Sequence, residues 1–305
     1  MIAVVASLAS MGAQDGQRFD TSISLVRVDA EVTDGTRTLT GLKREDFQIL
    51  DNGKLQEILY FSESEEPLDL ILLFDTSISM EWVLDQISKS ARIALGELRP
   101  GDRVSVMSFS MASHVITKFT DNFDEVERAI YGQVLNKMHG GTAIMTAVDG
   151  AVAQFRNMPR QGRRRAVLII TDNLGMRTRR EGRVVRKYWE ADAVLSGIIL
   201  TNRWLEAIRQ YRRFAPQWRL LGQGFTGVAD KTGGDVLKGS DPAKEFQESL
   251  RRLRKRYSIY YRLPAAKAGG LREVTVDLSA ATKQRLPTVR VRARKGYLVP
   301  KDEAR

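Results

Sequence analysis

The stretch Leu70-Ile71-Leu72-Leu73-Phe74-Asp75-Thr76-Ser77-Ile78-Ser79-Met80 decides the fold. Five apolar residues in a row, Leu70 to Phe74, fit a strand buried on both faces, the usual state of a central parallel strand. The run stops at Asp75, and two serines follow at alternate positions. Open α/β sheets bind ligands in the crevice at the carboxyl ends of their strands, so one carboxylate and two hydroxyls stand where a ligand would. All three are hard oxygen donors, suited to Mg²⁺ or Mn²⁺ rather than to zinc or copper. The plainer reading of the same residues is a helix cap, because Ser and Asp are preferred there.

Downstream of this strand the texture alternates. Trp82 to Leu98 carries Val83, Ile87, Ala91, Ala94 and Leu98 at helical spacing, and Pro100-Gly101-Asp102 turns the chain into a strand at Val104 to Phe109. His114 to Phe119 is close enough to be its hairpin partner. Helices are expected at Asn122 to Asn136 and Ile144 to Arg156, then a second buried strand, Arg165 to Thr171, ending in Asp172. A helix to Ala191, a strand at Ala193 to Leu200, a helix around Leu205 to Phe214, a short strand near Val236 and a basic helix at Pro242 to Lys255 complete the pattern. Such alternation predicts a doubly wound, Rossmann-like α/β unit with a mostly parallel six-stranded sheet.

Both ends of the chain read as β. Ser24 to Val32 alternates apolar with polar, and Asp34-Gly35 and Asp51-Asn52-Gly53 supply hairpin turns. Tyr257 to Leu263, Glu273 to Leu278 and Thr288 to Ala293 alternate in the same way. Because chain termini commonly lie close together, residues 21–66 and 257–299 are expected to pack as one small β-sandwich beside an α/β domain at 67–256. The first residues, Met1 to Ala13, are nearly all small or apolar, so residues 1–20 read as a truncated secretory signal and predict export to the periplasm or beyond. No apolar stretch is long enough to span a membrane.

The 305 residues contain no cysteine and two histidines, which excludes disulfides, thiol catalysis and Cys-ligated zinc and leaves little for a Ser-His-Asp triad. His114 and His139 read as structural, and the scattered tryptophans as packing residues. The net charge of +11 gathers in runs such as Arg163-Arg164-Arg165 and Arg251 to Arg256. These read first as solvated helix faces and second as a patch for anionic envelope polymers. Aromatic residues do not interleave with them as a base-stacking platform requires, so nucleic acid is not indicated.

Three strand-end loops carry the candidate chemistry: Asp75, Ser77 and Ser79; Gly140-Gly141-Thr142, a flexible glycine pair before a helix; and Asp172, on a strand that chain order places beside the first. This set resembles the metal-ion-dependent adhesion site of von Willebrand factor type A domains. Spacing agrees, about 65 residues from Ser77 to Thr142 and about 30 more to Asp172. Val32-Thr33-Asp34, Gly41 to Phe47, Asp51-Asn52-Gly53-Lys54, Arg99 to Arg103, Lys231-Thr232-Gly233-Gly234 and Val289 to Tyr297 are similar to landmarks of bacterial VWFA-related proteins described from Acidobacteria. The likeness runs from about Ile23 to Leu298. Two positions depart from it: Ile78 stands where relatives often carry Gly, and Asn173-Leu174-Gly175 replaces a Gly-rich acidic turn, although Asn tolerates left-handed backbone.

The resemblance implies direct ligation of Mg²⁺, Mn²⁺ or Ca²⁺ by the hydroxyls of Ser77, Ser79 and Thr142, with Asp75 and Asp172 acting through bound water. A protein partner's Asp or Glu would complete the shell, which implies metal-dependent protein binding or adhesion and no catalysis. Two other functions compete. A Mg²⁺-dependent phosphotransferase of the haloacid dehalogenase type would use Asp75 as nucleophile, yet it needs a second acid two residues on, where this chain has Ser77. A polyanion binder would rest on the basic runs alone and would bind with steep salt dependence.

Overall fold

The computed structural model describes residues 24–63, 65–134, 141–159, 162–176, 180–201, 221–222 and 224–300. The expected signal at 1–20, the helix around 205–214 and His139 lie outside the described residues. The chain opens with β1 (Leu25–Asp34), β2 (Arg37–Thr38), β3 (Phe47–Asp51), β4 (Lys54–Gln56) and β5 (Ile58–Glu63). The α/β part follows as β6 (Leu68–Asp75), α1 (Glu81–Leu95), β7 (Arg103–Phe109), β8 (Ser113–Thr120), α2 (Phe123–Ala129), α3 (Ile144–Ala153), β9 (Arg164–Thr171), β10 (Gly175–Met176), α4 (Glu181–Ala191), β11 (Ala193–Leu200), β12 (Leu221–Gly222), α5 (Thr226–Thr232), β13 (Val236–Gly239) and α6 (Pro242–Arg254). It closes with β14 (Tyr257–Arg262), β15 (Leu271–Leu278), α7 (Ala280–Arg285), β16 (Val289–Ala293) and β17 (Gly296–Leu298).

The central sheet has six strands in the order β13-β11-β9-β6-β7-β8, parallel throughout except for the β7–β8 hairpin. All eight residues of β6 are buried, as the apolar run requires. Leu70, Leu72 and Phe74 join one core with α1 and α6; Ile71 and Leu73 join the other with α3, α4 and α5. The two-residue period of a strand thus feeds both layers. From β6 the chain steps to β7 on one side and later returns to β9 on the other, so the order of winding reverses at β6. That reversal opens a crevice at the carboxyl ends of β6 and β9.

Local chemistry fixes the helix ends. Asp241 accepts a hydrogen bond from Lys244 N at 3.1 Å and Pro242 begins α6, an N-cap followed by a residue whose missing N–H costs nothing there. Asn122 caps α2 through Glu125 N. The helix expected to Asn136 is α-helical only to Ala129 and continues as a π turn, Ile130–Val134.

The terminal segments form two antiparallel sheets, β16-β1-β14-β5 and β17-β15-β3-β4, closed over a third core that includes Val28, Ile49, Ile259 and Tyr261. Five short elements escaped the sequence reading, β10, β12, α5, α7 and β17; all depend on neighbours for stability. The basic runs need correction. Arg164, Arg165, Arg252, Arg254 and Arg256 are buried rather than solvated: Arg164, Arg252 and Arg256 join the sandwich to the α/β unit, whereas Arg165 donates to the carbonyls of Ala191, Met158 and Pro159 within the α/β unit. Arg256 pairs with Glu31 at 3.1 Å and donates to Gly233 O; Arg252 pairs with Asp235 at 2.6 Å; Arg254 pairs with Asp102 at 3.2 Å; Arg164 donates to the carbonyls of Leu253 and Arg254.

Candidate functional site

The end of β6 turns sharply into a single 3-10 turn, Ile78–Met80, before α1. Thr76 N and Oγ1 both bond to Phe109 O, which pins the turn against the end of β7. Asp75 Oδ1 accepts from Ser77 N at 3.0 Å, and its Oδ2 accepts from Thr171 Oγ1 at 2.6 Å. The neighbouring strands β6 and β9 are thereby tied at their carboxyl ends. Thr171 is the residue whose role the sequence reading missed; its place just before Asp172 was the available signal.

Ser79 Oγ donates to Asp172 Oδ2 at 2.7 Å, and Ser77 Oγ lies 3.2 Å from Ser79 Oγ. A hydroxyl has one proton, and that of Ser79 goes to Asp172, so Ser79 is the acceptor in its contact with Ser77. Asp172 Oδ1 accepts from Leu174 N at 2.9 Å, and Asn173 adopts a left-handed φ of 59°, so the Asn-containing turn keeps the conformation a glycine would provide.

Thr142 is brought near by a different route and makes no hydrogen bond to these four residues. Ala143 N donates to Ser110 O at 2.8 Å, which fixes the loop to the β7–β8 hairpin. On the other side, Ile144 packs so closely against Gly175 that a Cβ there would sit 2.6 Å from Ile144 Cδ1. Gly141 needs φ +85°, which explains a glycine before Thr142. Thr142 therefore stands in a loop wedged between the β7 end and the turn after Asp172, buried like them. His114 is exposed on the edge strand β8 and takes no part in the hydrogen-bonded cluster.

Asp75 and Asp172 are both fully buried. Burial, reinforced by the charge of Asp172, pushes the Asp75 carboxyl up to about 6 against the opposing hydrogen bond from Thr171. The largest influences on it are burial, Thr171, Asp172 and Ser77, with no Lys or Arg among them. Among the described residues no group of three or more His, Cys, Asp or Glu gathers. The donor set is two carboxylates and alcohol oxygens, which fits a hard divalent ion.

Residues 70–175 match the family model of the von Willebrand factor type A domain. Among solved structures, von Willebrand factor type A from Catenulispora acidiphila is 13% identical with a TM-score of 0.48, covering 93% of this chain and 76% of that one. BatB from Bacteroides thetaiotaomicron is 16% identical with a TM-score of 0.45, over 61% of this chain and 97% of that one. Proximal thread matrix protein 1 from the mussel byssus, with a zinc-occupied MIDAS motif, is 14% identical with a TM-score of 0.47, over 67% and 49%. No curated protein matches the chain. The matched segment, residues 70–175, runs from within β6 to β10 and includes Asp75, Ser77, Ser79, Thr142 and Asp172.

Proposed function

We propose that the protein is a non-catalytic recognition module. In this reading Ser77, Ser79 and Thr142, with Asp75 and Asp172 behind them, hold a divalent cation, Mg²⁺ with Mn²⁺ or Ca²⁺ as substitutes. The observation that carries it is the run of hydrogen bonds from Ser77 through Ser79 to Asp172, beside a buried Asp75. When bound, the ion supplies an electrophilic position for a carboxylate from outside. Asp172 holds the Ser79 proton, and beyond the lone pair that accepts from Ser77 the Ser79 oxygen keeps one for a cation. Asp75 is held by Ser77 N and Thr171 Oγ1, so its negative charge is fixed at the back of the crevice.

The partner is a protein that presents an Asp or Glu. Its setting in the cell envelope rests on the apolar stretch Met1 to Ala13. No helix among the described residues is long and apolar enough to cross a membrane.

Calorimetric titration with MgCl₂ and MnCl₂ tests the reading. Wild-type protein should bind one ion and melt at higher temperature with it. Ser77→Ala combined with Ser79→Ala should keep the far-UV circular dichroism and lose both effects. Ion binding undiminished in that variant would sink the proposal. Capture of an envelope protein should likewise disappear with EDTA and in Asp75→Ala.

A further inference from the structure

A groove of about 620 Å³ runs along the side of the sandwich, between β15 of one sheet and β16 of the other. β16 is the last strand of its sheet, and β15 is covered by β17 only at Leu271–Glu273. Among the described residues, the outer edge of β16 and the edge of β15 from Thr275 to Leu278 therefore lack a strand partner. The chain crosses between sheets at Arg294 and Lys295, where Val274 N bonds to Lys295 O, which closes one end. Val276 and the half-buried Val291 line the groove, apolar side chains at the margin of the sandwich core.

We infer that this groove binds an extended acidic segment of another protein, added as a strand to the edge of β16. An unpaired edge offers a row of N–H and C=O groups, and strand addition satisfies them while pockets for alternate side chains set specificity. β16 reads Val289-Arg290-Val291-Arg292-Ala293. Its valines turn toward the core, so a strand that alternates apolar with acidic residues extends the core and sets a carboxylate opposite Arg290. Of the basic groups on the rim, Arg292 is engaged by Asp235 and Glu31, Arg294 by Asp192 and Lys295 by Asp230. Arg290 is exposed and has no ion pair among the described residues, and it lies at the end away from Glu273. A second copy is a poor occupant: antiparallel self-pairing about Val291 would set Arg290 against Arg292 of the other chain, and like charges directly opposite destabilise a sheet. This surface is separate from the strand-end crevice and needs no ion.

The test uses the full chain in EDTA with an acetylated and amidated peptide, Val-Glu-Val-Glu-Val, and its counterpart Val-Lys-Val-Lys-Val. The acidic peptide should slow amide exchange at 289–293 and bind about tenfold or more tighter than the basic one by fluorescence anisotropy. Arg290→Glu should erase that preference while leaving the melting temperature unchanged. Equal effects of the two peptides, or no added protection of 289–293, overturn the inference. Protection that appears without peptide and grows with protein concentration overturns it in favour of self-association.

Discussion

Asp75 occupies a position in this fold where a negative charge is costly. Its carboxyl is fully buried, faces Asp172, and is pushed up to about 6. An unfolded chain releases the same proton near 3.8. Without metal, the folded state therefore holds more protons than the unfolded state between those values. Stabilisation present in full below about pH 4 is lost as pH rises through about 6, a change on the order of 3 kcal/mol. Urea unfolding in EDTA at pH 4.5 and 7 checks this, read as the difference between wild type and Asp75→Asn, which removes the step. An identical pH slope in the two proteins refutes the assignment. A divalent ion competes with that proton, so its affinity should climb over the same interval.

At the scale of elements, the short landmarks in the sequence turn out to be the joints between layers. In Arg99-Pro100-Gly101-Asp102-Arg103, Asp102 accepts from Leu68 N and Arg99 N, so it clamps the start of β6 to the loop before β7. In Lys231-Thr232-Gly233-Gly234, Thr232 Oγ1 accepts from Leu195 N at the end of α5. A Cβ on Gly234 would lie 1.7 Å from Leu195 O, and one on Gly233 would lie 2.4 Å from the backbone of Ala293 and Arg294. Backbone cannot move aside as a flexible side chain does. Gly234→Ala should cost about 3 kcal/mol or more, beyond ordinary overpacking, measured by chemical denaturation. Gly35→Ala meets no atom within 4 Å but carries a φ of +59°, so it should cost only the left-handed strain, about 1 kcal/mol.

Across the whole molecule, the sandwich and the α/β unit share a buried ionic seam. Glu31 of β1 faces Arg256, Arg292 and Arg252, and Asp29 faces Arg164 and Arg27. Removing one member leaves its partners charged in a dry environment, so Glu31→Ala should destabilise by roughly 3–5 kcal/mol. Because the seam links both units, calorimetry should show one unfolding transition for the wild type. Two separated transitions in the wild type would contradict a coupled seam; in Glu31→Ala they are the expected sign of uncoupling. The burial of Arg252, Arg254 and Arg256 in this seam also removes them from any polyanion patch.

Much of this was legible in the residues. An apolar run such as Leu70 to Phe74 has nowhere to go but a strand buried on both faces, and a period of two or 3.6 reports which face of an element is dry. Hence the six-stranded unit, the β character of both ends and the strand-end position of Asp75, Ser77 and Ser79 followed from sequence. Asn173 was legible too, since few other side chains accept a left-handed φ. Sequence could not say that Thr171 would lock Asp75, nor how Thr142 reaches the crevice. Those contacts join residues far apart in the chain, and only sheet register brings them together. The arginine runs failed for the same reason. Charge is a property of a residue, but burial is a property of what packs on it, and the carboxylates that make buried arginine tolerable come from strands near the other end of the chain.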